Sequence, residues 1–168
     1  MRELQRTLNA LIALVLSGIL LAAFGVQFIE NERPCPLCLL QRLGMLGVGA
    51  GVLMNVRFGI KPLHYGLCIL SSIFGGFVAL RQISLHVCPG FPEFGIPVLG
   101  LSLYTWSFLI FTVCVLSVGV LLFLYDPERD EERLPLNGWH KTVFYLLFAL
   151  SAGNVVSTAF QCGWGVCH

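Results

Sequence analysis

The sequence predicts an all-α protein: a polytopic membrane helix bundle with a four-helix core and a fifth C-terminal transmembrane helix, read as one integral membrane domain over residues 1–168. Three observations predict it. Hydrophobic residues make up 57% of the chain and charged residues 11%, and mean hydropathy is +0.83, far too apolar for a water-soluble domain of this size. The charges are clustered, and between the clusters lie long runs of the length that crosses a roughly 30 Å hydrocarbon core. Formal charges nearly cancel to +1, which excludes the basic footprint of a nucleic-acid binder.

The first span is read at residues 8–29. Arg2 and Arg6 precede it, and Leu8 to Ile29 runs 22 residues without a charge. That exceeds the ~7–15 apolar residues of a cleaved signal peptide, and no small-x-small site follows, so an uncleaved anchor is expected. Glu30, Asn31, Glu32 and Arg33 end the run, and the prolines of Pro34-Cys35-Pro36 forbid a continuous helix through them. Pro36 suits a helix start, and the second span is read at 38–56. Its uncharged part, Leu43 to Val56, is only 14 residues. At ~1.5 Å per residue that is short for a crossing, so Cys38 to Arg42 must form the first turn at the interface.

Arg57, Gly59, Lys61 and Pro62 make a polar turn before a third span at 63–80, which holds His64 and Cys68 and is closed by Arg81. Gln82 to Leu103 contains Pro89, Pro92 and Pro97 and reads as an interfacial loop that opens with a helical turn or two. The fourth span, 104–125, carries Tyr104, Trp106 and Tyr125 at its ends, as aromatic belts do. Asp126 to Lys141 is solvated, and a fifth span at 142–160 leads to a tail with Cys162 and Cys167.

Seven of the ten Lys and Arg residues (Arg2, Arg6, Arg57, Lys61, Arg129, Arg133, Lys141) fall on one side of such a bundle and three (Arg33, Arg42, Arg81) on the other. The first side, with the N-terminus, is therefore expected to be cytoplasmic. Every loop cysteine (Cys35, Cys38, Cys88, Cys162, Cys167) then faces the outer, oxidising side. Cys68 and Cys114 fall within spans and read as small packing residues, and Gly44, Gly47 and Gly51 as a surface for close helix packing.

The chain is organised around Pro34-Cys35-Pro36-Leu37-Cys38-Leu39-Leu40-Gln41-Arg42. A Cys-x-x-Cys pair alone suits a zinc site as well as a thiol–disulfide centre. At a helix start beside the bilayer, with Arg42 one turn after Cys38, the helix dipole and the cation both favour a Cys38 thiolate, a good nucleophile and leaving group. An arginine at this depth needs a partner; the plainer alternative is that it snorkels to lipid phosphates.

Cys35-Pro36-Leu37-Cys38 followed by Leu39-Leu40-Gln41-Arg42, in the first external loop, resembles the DsbB family of bacterial inner-membrane disulfide-forming proteins, and so does the placement of the first four spans. The resemblance implies an oxidoreductase that reoxidises a periplasmic thioredoxin-like dithiol oxidase of the DsbA type. Its electrons would pass to ubiquinone or menaquinone, supporting protein disulfide bond formation. It further implies that Cys38 engages the quinone, that Arg42 lies beside the quinone ring, and that Cys35 accepts electrons from a second cysteine pair. Cys35, Cys38 and the C-terminal tail would be periplasmic. His86 is a further candidate quinone contact, against the alternative of a solvated loop histidine, and Arg81 reads as an interfacial anchor.

The family pattern puts a second cysteine pair in the second external loop, where this chain has only Cys88. Cys162 and Cys167 are expected to replace that pair as an electron relay. The alternatives are a structural clasp in the tail, or direct attack of the partner on Cys35–Cys38. Two other functions compete: a structural zinc site built from Cys35, Cys38, Cys162 and Cys167, with His168 in reserve, and a structural membrane subunit with disulfides and no redox turnover. Relatives of vitamin K epoxide reductase share the chemistry but place their Cys-x-x-Cys late in the chain.

Overall fold

The computed structural model describes residues 2–29, 35–87, 97–126 and 136–162. Five helices account for nearly all of them: α1 (Arg2–Ile29), α2 (Pro36–Phe58), α3 (Pro62–Val87), α4 (Leu103–Phe123) and α5 (Gly138–Cys162). All five are long and apolar enough to cross a membrane, and the chain is a multi-pass all-α bundle as the sequence predicts.

Helices α1, α2, α3 and α5 overrun the spans read from their charge-free stretches, α3 with most consequence, whereas α4 stops two residues short of the 104–125 read for it. Helix α3 passes Arg81 and continues to Val87, because a charge marks the membrane edge and not the end of a helix. No helix breaker stands before Pro89. At the start of α2, Pro36 occupies the first turn and Cys35 is the N-cap, its sulfur accepting the Cys38 N–H at 3.2 Å. The turn out of α2 is made by Gly59 at φ 90°, a conformation open to glycine.

Helix α2 touches the other four and is the axis of the bundle. Its contact with α3 rests on small residues. A Cβ added at Gly51 would lie 2.5 Å from Cys68 Sγ, one at Gly47 would lie 2.5 Å from Ser71 Oγ, and one at Gly44 would lie 3.0 Å from Gly75 Cα. The glycines thus let two backbones approach as the sequence anticipates. Phe111 of α4 covers Gly75, and Leu147 of α5 covers Gly49. Cys68 and Cys114 are buried in this core with Leu16, Val52, Tyr65 and Val118. Outward, Phe28, Leu70, Phe77, Leu116 and Phe148 are exposed on their respective helices, the surface a lipid solvent requires.

The end of the bundle where α1 begins is closed by a polar network. Asn9 Nδ2 donates to the Tyr65 hydroxyl at 2.8 Å, and Asn55 Nδ2 donates to Asn9 Oδ1 at 3.3 Å. Asn55 Oδ1 accepts the Lys61 N–H at 3.0 Å and meets His64 Nδ1 at 2.9 Å. Arg6 Nε reaches the Val56 carbonyl at 3.2 Å, and Gln5 reaches the Leu124 carbonyl at 2.7 Å.

Candidate redox site

The opposite end, where α2 and α4 begin and α1 and α3 finish, holds the cysteine pair. Cys35 and Cys38 are both thiols and both partly buried. Being the N-cap, Cys35 faces the first free N–H groups of α2, while Cys38 sits on that first turn. Four groups favour a negative charge on Cys35: the Cys38 thiol most strongly, then the N–H groups of Cys38 and Leu37, and the Gln82 amide. Against partial burial, they lower the Cys35 pKa from 9.0 to about 7. The sequence reading puts the stabilised thiolate on Cys38; in the structure the lowered thiol is Cys35, which the Cys38 thiol favours most and whose N-cap position also collects helix N–H groups.

Gln82, on the stretch of α3 beyond Arg81, is 1% exposed. Its Nε2 lies 3.5 Å from Cys35 Sγ and 3.6 Å from Cys38 Sγ. Its Oε1 accepts the Gln41 amide N–H at 2.7 Å, and the Cys38 thiol approaches the same oxygen at 3.9 Å.

Arg42 does not snorkel. It is buried, donating to Gln27 Oε1 at 2.7 Å and to the Ala23 carbonyl at 3.0 Å, with its guanidinium 4.7 Å above the Phe24 ring. Gln27 in turn donates to Ser157 Oγ at 3.0 Å, which ties α5 to this arrangement.

These groups border a cavity of about 300 Å³ between α1, α2, α3 and α4. Cys38, Gln41, Arg42, Gln27 and Gln82 line it, and apolar wall comes from Ile19, Ala22, Val26, Met45 and Ile110. Tyr104 and Trp106 contribute from α4, and Val98 from the turn before it. That turn is pinned by paired Val98–Leu101 hydrogen bonds and by Trp106 Nε1 donating to the Val98 carbonyl at 2.9 Å.

His86 stands next to the cavity and is not among its lining residues. Its Nδ1 faces the Gln82 carbonyl at 2.8 Å, and its ring stacks on Tyr104 at 4.9 Å. Arg81 is exposed. Cys88, Cys167, His168 and the Cys162 side chain, and with them the tail relay, the clasp and the four-thiolate zinc site, lie outside the described residues. Among the described residues no three His, Cys, Asp or Glu side chains come together as a metal site would require.

Sequence reasoning found Cys35, Cys38 and Arg42 but missed Gln27 and Gln82, and passed over Gln41 as a site residue. The available signal was chemical: glutamine in an apolar helix has to find partners, so three glutamines near a Cys-x-x-Cys deserved pairing.

Comparison with known proteins follows the same part of the chain. The family model "Disulfide bond formation protein DsbB" matches residues 5–94. Disulfide bond formation protein B of Cupriavidus metallidurans is 37% identical over 90 residues, 53% of this chain and 56% of that protein. The protein of the same name from Cupriavidus necator is 38% identical over 90 residues, again 53% and 56%. That from Chromobacterium violaceum is 37% identical over 84 residues, 47% and 50%. The chain spans about half the length of the curated relatives it matches. No solved structure matches it. The matched residues hold α1 to α3, with Gln27, the Cys35–Arg42 segment and Gln82. The resemblance read from the sequence reached four spans, so α4 and α5 lie beyond what these matches cover.

Proposed function

This chain belongs to the DsbB family of disulfide bond formation membrane proteins, and from that premise we propose that it is a quinone-dependent thiol oxidoreductase of the bacterial inner membrane. In this reading it reoxidises a periplasmic, DsbA-like dithiol oxidase. The observation that carries it is the shared cavity: Cys38, Arg42 and Gln82 line one apolar space of about 300 Å³ at the end of the bundle.

Those residues fit a flat apolar ring bearing carbonyl oxygens. The walls are aliphatic and aromatic, and the polar side chains lining it include the N–H donors of Arg42, Gln41 and Gln82. Arg42 uses only some of its five N–H groups on Gln27 and Ala23, leaving donors for a ligand oxygen. When bound, ubiquinone or menaquinone supplies the oxidising power, taking two electrons and two protons as the Cys35–Cys38 dithiol becomes a disulfide.

The chain's own residues do the rest. A thiolate of the partner attacks one sulfur of an oxidised cysteine pair; an S–S bond forms to the partner, the internal bond breaks, and the displaced sulfur leaves as a thiolate. The partner's second thiolate then attacks the partner's own sulfur in that mixed disulfide; the bond to this chain breaks, its cysteine leaves as a thiolate, and the partner departs as a disulfide with two reduced cysteines left here. Cys35, held near pKa 7, has about half its population charged at neutral pH, while Cys38 faces the cavity. Cys162 and Cys167 serve as the entry pair that hands electrons to Cys35–Cys38, in place of the pair missing from the second loop. The seven-to-three division of Lys and Arg supports a cytoplasmic N-terminus and periplasmic cysteines.

The test is quinone reduction by purified protein in detergent, supplied with a reduced thioredoxin-like dithiol oxidase. Wild type is expected to turn over, Cys38→Ser to fall to background, and Cys162→Ser/Cys167→Ser to be impaired. Absence of dithiol-dependent turnover in folded wild type sinks the reading; full activity of the double variant removes the relay alone.

A further inference from the structure

Two buried amides stand beside the sulfurs, and burial of an amide in a lipid-embedded bundle is costly unless both its ends are satisfied. Gln82 is 1% exposed and Gln41 is 4% exposed. A position that served packing alone would take leucine or methionine. Instead, Gln41 donates to Gln82 Oε1 at 2.7 Å, an oxygen the Cys38 thiol also approaches at 3.9 Å, and the Gln41 bond leaves Nε2 as the donor turned to both cysteines. The Nε2 is almost equidistant from the two sulfurs, at 3.5 Å and 3.6 Å.

A thiol is a weak acceptor of hydrogen bonds and a thiolate a strong one. During thiol–disulfide exchange the negative charge rests on one sulfur, disappears into an S–S bond, and reappears on the other when that bond breaks. A fixed donor within reach of both sulfurs meets the charge wherever it develops, with no reorganisation at the moment of reaction. We propose that Gln82, oriented by Gln41, is a catalytic hydrogen-bond donor that stabilises thiolate on either Cys35 or Cys38. Gln41 touches neither sulfur and acts as a positioning residue. The proposal rests on the dithiol reading of this site and adds to it a group that no Cys-x-x-Cys pattern contains.

A purely structural role for the pair, as interhelical glue between α2 and α3, makes a different prediction: lost stability with unchanged thiol acidity. The experiment uses the full-length protein, reduced, in detergent. The pH profile of alkylation at Cys35 is followed by peptide mass spectrometry, with thermal unfolding in parallel. Gln82→Leu is expected to raise the Cys35 midpoint by about half a pH unit, roughly threefold slower alkylation at pH 6. Gln41→Leu is expected to give a smaller rise, and the double variant no more than Gln82→Leu alone. A lowered unfolding temperature with an unmoved profile overturns the proposal. If Gln82→Leu does not fold, Gln41→Leu decides, and an unchanged midpoint in that variant overturns it equally. The profile needs neither quinone nor partner, so a failed turnover assay leaves it readable. Conversely, an unmoved profile in a protein that reduces quinone sinks the Gln82 role and spares the oxidoreductase reading.

Discussion

The two ends of this bundle are built from similar polar side chains and differ in what those side chains leave over. At the end where α1 begins, Asn9, Asn55, Tyr65 and His64 join one another, with Asn55 also holding the Lys61 backbone. At the other, Gln27, Gln41, Gln82 and Arg42 are joined just as closely, yet they border a cavity of about 300 Å³ and two thiols. Polarity inside a membrane bundle therefore does not separate adhesive from site. Donors and sulfurs that face a space do.

The contrast is sharpest for Arg42. Arg42→Met is expected to lower quinone reduction by about a hundredfold, the size of effect seen when one preorganised donor is lost, with the bundle still folded. A fall of less than about threefold would remove the cavity from the mechanism. The second comparison concerns thiol chemistry. Because Cys35 is lowered from 9.0 to about 7, its thiolate fraction, and so its alkylation rate, should rise about tenfold per pH unit below 7 and level off above it. A midpoint near 9 would make the N-cap geometry irrelevant to reactivity.

At the adhesive end the expected effects are smaller and of another kind. Asn55→Leu leaves His64 Nδ1 and the Lys61 N–H without their shared acceptor. It should cost about 1–2 kcal/mol in unfolding measurements, with turnover per folded molecule unchanged. His140 gives the smallest and has the opposite sign. It is 2% exposed, packs on Trp139 at 4.3 Å, and neither ring nitrogen has a hydrogen-bond partner among the described residues. His140→Phe should therefore raise the unfolding temperature slightly, by about 1 kcal/mol of stability; a loss would show that His140 matters through something other than its burial.

The five spans were legible because a bilayer demands apolar length, and length survives in sequence without any knowledge of packing. Their ends were less so. Arg81 marks the end of the apolar run, and the turn or two of helix expected after it carries α3 on to Val87 and delivers Gln82. Cys35, Cys38 and Arg42 were legible because they are neighbours on one helix start. Gln82 and Gln27 were not, since they reach the site from α3 and α1, and Ser157 joins Gln27 from α5, 130 residues along the chain. No spacing rule links them; only the packing of α2 against its neighbours does. The two views of the thiolate differ for a local reason: dipole and charge arguments weigh the helix as a whole, whereas the N-cap sulfur is where the N–H bonds end.

The glycine seam of α2 reaches further than packing. Gly44 lies a single turn from Gln41, and the Cβ it lacks would meet Gly75 of α3 at 3.0 Å. The separation of the two helices is thus gauged by missing methyl groups, and the same separation sets the distance from the Gln82 amide to both sulfurs. A methyl group added at Gly47 would meet Ser71 of α3 and force the two helices to shift, so it is expected to disturb the Gln82 contacts with the sulfurs without touching either thiol.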